Sequence, residues 1–239
     1  MNNEFFDLYF FKNIENSNDK IKEVFKKNDN PRLALFCINQ KKGRGRKGRV
    51  WKSKVGDLTC SILIKKKLDI SEMGRINIII VSIIINIFED LGLNKVKFKW
   101  PNDIFINKKK IAGILIETSV SNNTVTQFII GIGVNVKSRP KDLKYSSTSL
   151  FENGQKVQAH KLFFSIIKRL YFYIENYKNI EFQYLSKKLS NRFFNKKSSI
   201  NIYNGNNKKE GMFLEIGCLG ELIIKNKNKN LTITYGEII

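Results

Sequence analysis

Three short segments combine residue types and spacings able to bind and activate an anionic small molecule. The first reads Gly43-Arg44-Gly45-Arg46-Lys47-Gly48-Arg49 and is followed by Trp51. Glycines at alternating and near-alternating positions let a backbone curve tightly and approach a ligand closely. The interleaved guanidinium groups offer forked donors that meet phosphate or carboxylate oxygens at two points. Such a loop can fold over an anion and shut out water. Read by itself, it also fits a solvated basic loop or a non-specific nucleic-acid contact.

The second segment is Lys99-Trp100-Pro101-Asn102-Asp103, followed by a hairpin and by Lys110-Ile111-Ala112-Gly113. Pro101 stops a strand and sets a turn. A hairpin turning at Asn107-Lys108 would bring Lys110 back to the end of the strand that carries Asp103. The carboxylate can then hold Mg²⁺ or orient a cation, and the ammonium can neutralise charge on a phosphate. Gly113 would let a small ligand lie flat on its strand. Taken alone, these residues also describe an ordinary hairpin with surface charges. The third segment, Gly131-Ile132-Gly133-Val134-Asn135, places two glycines at the end of an apolar strand. That implies close approach of a ligand or a β-bulge. It is not a dinucleotide fingerprint, because no helix with a third glycine follows. A fourth segment, Asn16-Ser17-Asn18-Asp19, has the composition of a helix cap. His160 is the sole histidine and reads as structural. The chain contains no Ser/His/Asp set, zinc spacing or Walker loop.

These residues need elements to position them. Residues 17–27 read as an amphipathic helix capped by Ser17 or Asn18. Strands are expected at 33–39 and 58–64, on either side of the basic loop. Residues 71–91 read as a long apolar helix, with Ser71 as its cap and Gly92 just past its end. Short strands follow at 95–99, 103–107, 110–118 and 125–135, then helices at 158–177 and 180–190. After Asn195 the texture changes. Strand-like runs at 198–203, 209–216, 219–224 and 231–235 alternate with turns, as in a small all-β barrel of about 45 residues.

Of the 239 residues, 42% are hydrophobic, which supports a sizeable core and excludes disorder as the default. The N-terminus lacks the basic and small-residue regions of a signal peptide. The longest apolar stretch, residues 76–88, is interrupted by Asn77, Ser82 and Asn86 and falls short of the ~20 residues a bilayer requires. A buried helix is expected there, and no membrane partner. Cys37, Cys60 and Cys218 are odd in number and widely spaced, so they read as reduced core thiols. Together these features predict a soluble, cytoplasmic protein. The net charge of +22 fits either a polyanion partner or a bias toward Lys, Asn and Ile. The lysines are scattered rather than gathered in a stripe, which favours the bias.

Taken jointly, the four segments resemble the biotin–protein ligase family. GRGRKGRVW is similar to that family's glycine/arginine-rich adenylate loop, and KWPNDIFINKKKIAGILIE to its KWPND stretch with the downstream lysine and glycine. GIGVNV and Ser147-Thr148-Ser149-Leu150 are similar to two further family segments. Asn16 and Ser17 stand where the family usually has Ser and Thr, and Lys41 and Lys42 replace less charged residues. The resemblance covers about residues 16–150, and the tail with Gly236-Glu237-Ile238 looks like the family's small terminal domain. It implies an α+β fold: a mixed β-sheet backed by helices, as in class II synthetase-like ligases, with a small C-terminal SH3-like β-barrel. The implied domains are 1–192, catalytic, and 193–239, SH3-like.

The resemblance also implies an ATP-dependent, AMP-forming biotin–acetyl-CoA-carboxylase ligase. Its substrates would be biotin and ATP with Mg²⁺, without a permanently bound cofactor or structural metal. Its partner would be a biotin carboxyl carrier protein, which supplies the acceptor lysine. Ser17, Asn18, Gln40 and Arg46 would bind the ureido and carboxylate ends of biotin, with Arg44 and Arg46 on the phosphate. Lys110 would contact both the biotin carboxylate and the α-phosphate. Asp103, with Asn102 and Asn135, would serve Mg²⁺ and nucleotide. Gly43, Gly45, Gly48, Trp51, Gly113, Gly133 and Asn135 would shape the site. The DNA-binding helix-turn-helix of some members is missing, so a monofunctional ligase is expected; a homodimer is left open. Two other readings stay open from the sequence: a lipoate or octanoate ligase, and a basic nucleic-acid-binding module.

Overall fold

The computed structural model describes residues 5–28, 30–140, 145–194, 196, 198–205 and 207–238. Its described strands are β1 (Asp7–Ile14), β2 (Arg32–Gln40), β3 (Leu58–Asp69), β4 (Val96–Lys99), β5 (Asp103–Ile106), β6 (Lys109–Ser121), β7 (Thr124–Val134), β8 (Ser199–Asn204), β9 (Asn207–Ile216), β10 (Leu222–Asn226), β11 (Lys229–Ile233) and β12 (Glu237–Ile238). The helices are α1 (Ser17–Phe25), α2 (Met73–Asp90), α3 (Ala159–Glu175) and α4 (Phe182–Asn191). The first seven strands form one sheet in the order β1-β2-β3-β7-β6-β5-β4. Only β1 and β2 are parallel in it; the other pairs are antiparallel.

Strand periodicity sorts side chains onto the two faces of this sheet. Ala34, Cys60, Ile62 and Ile64 join the large core beneath α2 and α3, whereas Leu33, Leu35, Cys37, Leu63 and Ile129 pack against Ile21 of α1. The sheet is therefore sandwiched, with one short helix on the second face. A single nine-residue helix cannot cover that face, and the uncovered part is where the candidate site lies. Helix α2 is apolar nearly all round and lies in the core, as expected of a helix enclosed by protein. The 21-residue stretch Ile70–Asp90 is long and apolar enough to cross a membrane, longer than the sequence reading allowed.

The terminal strands form a second, antiparallel sheet in the order β11-β10-β9-β8-β12, consistent with an SH3-like domain. Phe193 stacks on Phe213 of β9 with centroids 3.6 Å apart and planes 4° apart. Trp100 Nε1 donates to the Gly220 carbonyl (2.9 Å), and the Ile216 amide donates to Ser190 Oγ (2.8 Å). Gly74 lies so close to Leu219 that a Cβ there would strike the Leu219 carbonyl.

Several local expectations need correction. Strand β1 was not expected, because its mixed burial gives no clean alternation. The cap of α1 is Asn16, not Ser17 or Asn18: its side chain accepts from the amides of Asn18 (2.9 Å) and Asp19 (3.2 Å). Ser71 does not cap α2; it lies in a 3₁₀ turn, where Asp69 accepts from its amide. The β10–β11 hairpin turns inside the KNKNKN run, so both strands sit away from their expected bounds. Cys218 is not a core thiol: it is exposed in the turn after β9, whereas Cys37 and Cys60 are buried.

Candidate active site

The register of the main sheet builds the floor. Thr59 of β3 is opposite Gly133 of β7, Gly133 is opposite Gly113 of β6, and Gly113 is opposite Asp103 of β5. One row across four strands thus runs from a hydroxyl through two glycines to a carboxylate. The next row places Ser61 opposite Gly131 and Gly131 opposite Leu115. The glycines leave a trough. A Cβ at Gly133 would run into the Trp51 indole, one at Gly113 would stand 3.0 Å from it, and one at Gly131 would meet Asn18 Oδ1 at 2.6 Å.

The walls come from α1 and from the basic loop. The Ser17 amide donates to Gln40 Oε1 (2.7 Å), and Ser61 Oγ donates to Asn18 Oδ1 (2.5 Å). The Asn16 side chain donates to the Lys42 carbonyl, tying the base of the loop to the helix cap. The loop is itself a tight turn. Trp51 N donates to the Gly43 carbonyl (2.9 Å), Gly45 N to the Arg49 carbonyl (2.6 Å), and a 3₁₀ turn spans Arg46–Gly48. The resulting cleft has a volume of about 320 Å³, near the lower end of the roughly 300–1,000 Å³ usual for small-molecule sites.

Its two ends differ in chemistry. Toward α1 the lining residues are Asn16, Ser17, Asn18, Gln40, Thr59 and Gly131, polar but uncharged. Asn18 Nδ2 and Trp51 Nε1 are buried donors with no partner among the described residues. Buried polar groups are rarely left unpaired, so these donors point to a ligand carrying acceptor oxygens. At the other end Lys99, Asn102, Asp103, Lys110, Tyr145 and Glu237 converge. Over the whole cleft the basic side chains of Arg44, Arg46, Arg49, Lys99, Lys108 and Lys110 outnumber the carboxylates of Asp103 and Glu237. The excess favours an anionic ligand.

Lys110 lies between the two ends. Its ammonium pairs with Asp103 at 2.7 Å and lies 5.7 Å from the Trp51 ring centroid and 5.3 Å from that of Tyr145. Its backbone is clamped as well: Lys110 N donates to the Ser146 carbonyl, and Thr148 N donates to the Lys110 carbonyl, both at 2.9 Å. Burial pushes the pKa of Lys99 below its ordinary value, an effect opposed by the nearby Asp103 and Glu237 carboxylates. Burial likewise raises the Tyr145 phenol.

Most residues singled out in the sequence reach this cleft: Ser17, Asn18, Gln40, Arg44, Gly45, Arg46, Trp51, Asn102, Asp103, Lys110, Gly113 and Gly133. Three do not line it. Gly43 packs behind the cleft against Gln40 and Trp51, and Gly48 is at the open tip of the loop with φ +71°. Asn135 is buried outside and donates to the Thr148 carbonyl (2.9 Å), holding the segment that clamps Lys110. Arg44 is committed within the protein: it forks onto Asp19 (2.6 and 2.8 Å) and reaches Glu117 (2.8 and 3.1 Å). Those contacts raise the Arg44 pKa above its ordinary value.

Sequence reasoning missed Thr59, Tyr145 and Phe194 in the lining, and named Lys99, Gly131 and Glu237 only as members of motifs, without a role in the site. Gly131 and Lys99 are the first residues of two of the recognised motifs and were within reach. Glu237 comes from the far end of the chain and carried no local signal. Asp57 was missed as well. It is buried and accepts from the amides of Val136, Lys137 and Ser138, each at 3.0 Å, which fixes the end of β7 beside the trough.

Residues 10–135 match the model of the Biotin/lipoate A/B protein ligase family. The chain is 31% identical over 154 residues to the bifunctional ligase/repressor BirA of Bacillus subtilis, covering 62% of this chain and 47% of that protein. It is 31% identical over 111 residues to the biotin–acetyl-CoA-carboxylase ligase of Paracoccus denitrificans, covering 44% and 45%. The chain thus spans about half the length of the curated relatives it matches. Among solved structures it is similar to a biotin protein ligase from Aquifex aeolicus in complex with biotin and ATP. That match has a TM-score of 0.80 and 25% identity, and covers 98% of this chain and 97% of the other.

Proposed function

Because the chain belongs to the Biotin/lipoate A/B protein ligase family, we propose that it activates biotin with ATP and transfers the biotinyl group to a lysine of a carrier protein. One observation carries this reading. Lys110, clamped at its backbone and paired with Asp103, stands between an uncharged pocket with two buried donors unpaired among the described residues and a cationic end. Adenylation needs that juxtaposition, because a carboxylate must attack the α-phosphorus of ATP although both are anionic. Lys110 and Arg46 would offset the repulsion and stabilise charge developing at the phosphoryl oxygens. The carboxylate oxygen forms the new bond to phosphorus, and pyrophosphate leaves with its electron pair. The Mg²⁺ that accompanies ATP as substrate would carry part of the pyrophosphate charge.

Asn18 and Ser17, with Gln40 bracing the helix start, would meet the ureido end of biotin, and its rings would lie in the cleft beside Trp51, whose indole itself rests on Gly113 and Gly133. Asp103 and Asn102 would face the nucleotide and the incoming amine. That amine belongs to the partner, which accounts for a site without a nucleophile motif of its own. Arg44 serves differently from Arg46 in this reading: its guanidinium is occupied by Asp19 and Glu117, so it holds the loop in place. The names of relatives such as the Paracoccus denitrificans enzyme support a biotin carboxyl carrier domain of acetyl-CoA carboxylase as the acceptor.

The test is ATP–pyrophosphate exchange with biotin, lipoate or no acid added, followed by transfer to a carrier domain. Exchange that depends on biotin supports the proposal. Exchange that depends on lipoate alone would replace it with the lipoate reading, and no exchange with either acid would overturn adenylation.

A further inference from the structure

The basic loop is held at its two ends by different parts of the molecule, and we infer that Glu237 of the C-terminal sheet is the positioning residue that latches it shut. This rests on the proposed adenylation for its purpose, though not for its geometry. At the first end Arg44 is bound by Asp19 of α1 and Glu117 of β6, both in the catalytic body. At the second end the contacts all go to residues 235–237. Arg49 Nη1 pairs with Glu237, and Lys47 Nζ lies 3.8 Å from the same carboxylate. Arg46 Nη2 donates to the Gly236 carbonyl at 3.1 Å, with its guanidinium 5.5 Å from the Tyr235 ring centroid.

The two anchorages differ in strength. Arg44 makes four hydrogen bonds to two carboxylates, a geometry that loses little freedom on pairing. At the Glu237 end the basic partners are the more exposed, Lys47 at 39% and Arg49 at 54% against 34% for Arg44, although Glu237 itself is 22% accessible. Exposed pairs are weak and readily broken. The loop should therefore swing open about its Arg44 end and release at Glu237. Glu237 also lines the cleft, facing Lys99. A polyphosphate arriving there would compete for the same arginines and repel the same carboxylate. The latch would then close the empty site loosely and pass its arginines to the ligand once it is bound. The small sheet can act as a fixed post because Phe193 and Phe213, Trp100 and Gly220 bind it to the catalytic body.

The primary test needs no substrate. Hydrogen exchange is followed at the Gly45, Arg49 and Trp51 amides, which are bonded only within the closed loop. In ligand-free Glu237→Gln these amides should exchange at least about threefold faster than in wild type, the scale of one weak ion pair. Amides of β3 and β7 should not change. Arg49→Gln should act alike, and the swap Glu237→Arg with Arg49→Glu should restore slow exchange. Rates unchanged in both single variants would overturn the latch, as would a swap no better than either. If biotin-dependent adenylation holds, Glu237→Gln should also release acyl-adenylate, seen as a several-fold rise in labelling of a non-acceptor protein relative to the carrier. Faster exchange with no adenylation in wild type would leave the latch standing and remove the proposed function. Faster exchange without leakage from an active enzyme would show that Glu237 does not retain the intermediate.

Discussion

Lys110 is the side chain on which the proposed chemistry depends most. It is 14% accessible, pairs with Asp103 and borders two aromatic rings. Lys110→Ala is expected to cut adenylate formation by a factor on the order of 10² or more, the scale of a lost transition-state contact. Lys109→Ala, exposed one position earlier, is the control and should change the rate little. Equal losses in pyrophosphate exchange for both variants would remove Lys110 from its role. The thiols give a second check. Burial pushes the Cys37 thiol up to about 12 and raises Cys60 further, while Cys218 is exposed. Because thiolates are the reactive form, titration of native protein with an aromatic disulfide reagent should show one fast cysteine, lost in Cys218→Ser. Two or three fast thiols would contradict the packing of β2 and β3.

At the scale of elements, the cross-strand row Thr59, Gly133, Gly113 and Asp103 makes the trough, and glycine is required where the indole rests on the sheet. Gly133→Ala should displace Trp51 and weaken biotin binding by about tenfold or more, with a stability loss of ~1–3 kcal/mol from overpacking. Calorimetric titration at unchanged affinity would disprove the contact. The network joining α1, the loop and β6 has a pH signature. The Arg44 hydrogen bond holds the Asp19 carboxyl below its ordinary range. Burial would raise Glu117, but hydrogen bonds from Lys22 and Arg44 outweigh it and lower that group too. Both folded-state values are depressed. Their contribution is therefore present above the unfolded carboxylate range, about pH 4, and is lost as pH falls through the folded values. Asp19 is half exposed, so Asp19→Asn should cost at most ~1 kcal/mol near neutrality, and the difference in Tm from wild type should vanish in acid. A difference that grows in acid would refute the assignment.

These elements were unequally legible in the sequence. The Lys110–Asp103 pairing could be read because one hairpin with an Asn107-Lys108 turn sets the register locally. The glycine trough was half legible: each Gly pair stood out, but their alignment depends on strands distant in sequence. The commitment of Arg44 to Asp19 and Glu117 was not legible, because arginines in a basic loop look alike until their partners are known. β1 was hidden by its irregular burial, and Glu237 by its distance from every motif.

At the scale of the whole molecule, the C-terminal sheet is packed onto the body built around the main sheet through Phe193 and Phe213 and through the Gly74–Leu219 contact. Phe213→Ala should therefore destabilise by about 3–5 kcal/mol, the usual cost of deleting a buried aromatic ring. The loss should appear in the unfolding of the entire chain. Denaturation followed by Trp51 and Trp100 fluorescence and by far-ultraviolet circular dichroism should show one shifted transition. Two separated transitions in wild type would mean that the sheet unfolds independently.

The central pairing of β3 with β7 has a consequence for how the chain acquires its structure. It joins residues 58–69 to residues 124–134, with α2 and three strands between them. Contacts of such long sequence separation form slowly, because loop closure must be achieved before the contacts repay it. A nascent chain that ends before residue 124 lacks β7 and with it Gly131 and Gly133 of the trough, and until β7 docks, the apolar faces of β3 and α2 remain available for aggregation. Refolding should accordingly be limited by this pairing. A substrate added at the start can bind only the finished product. It should slow unfolding and raise the yield of native protein, while leaving the rate of folding itself unchanged.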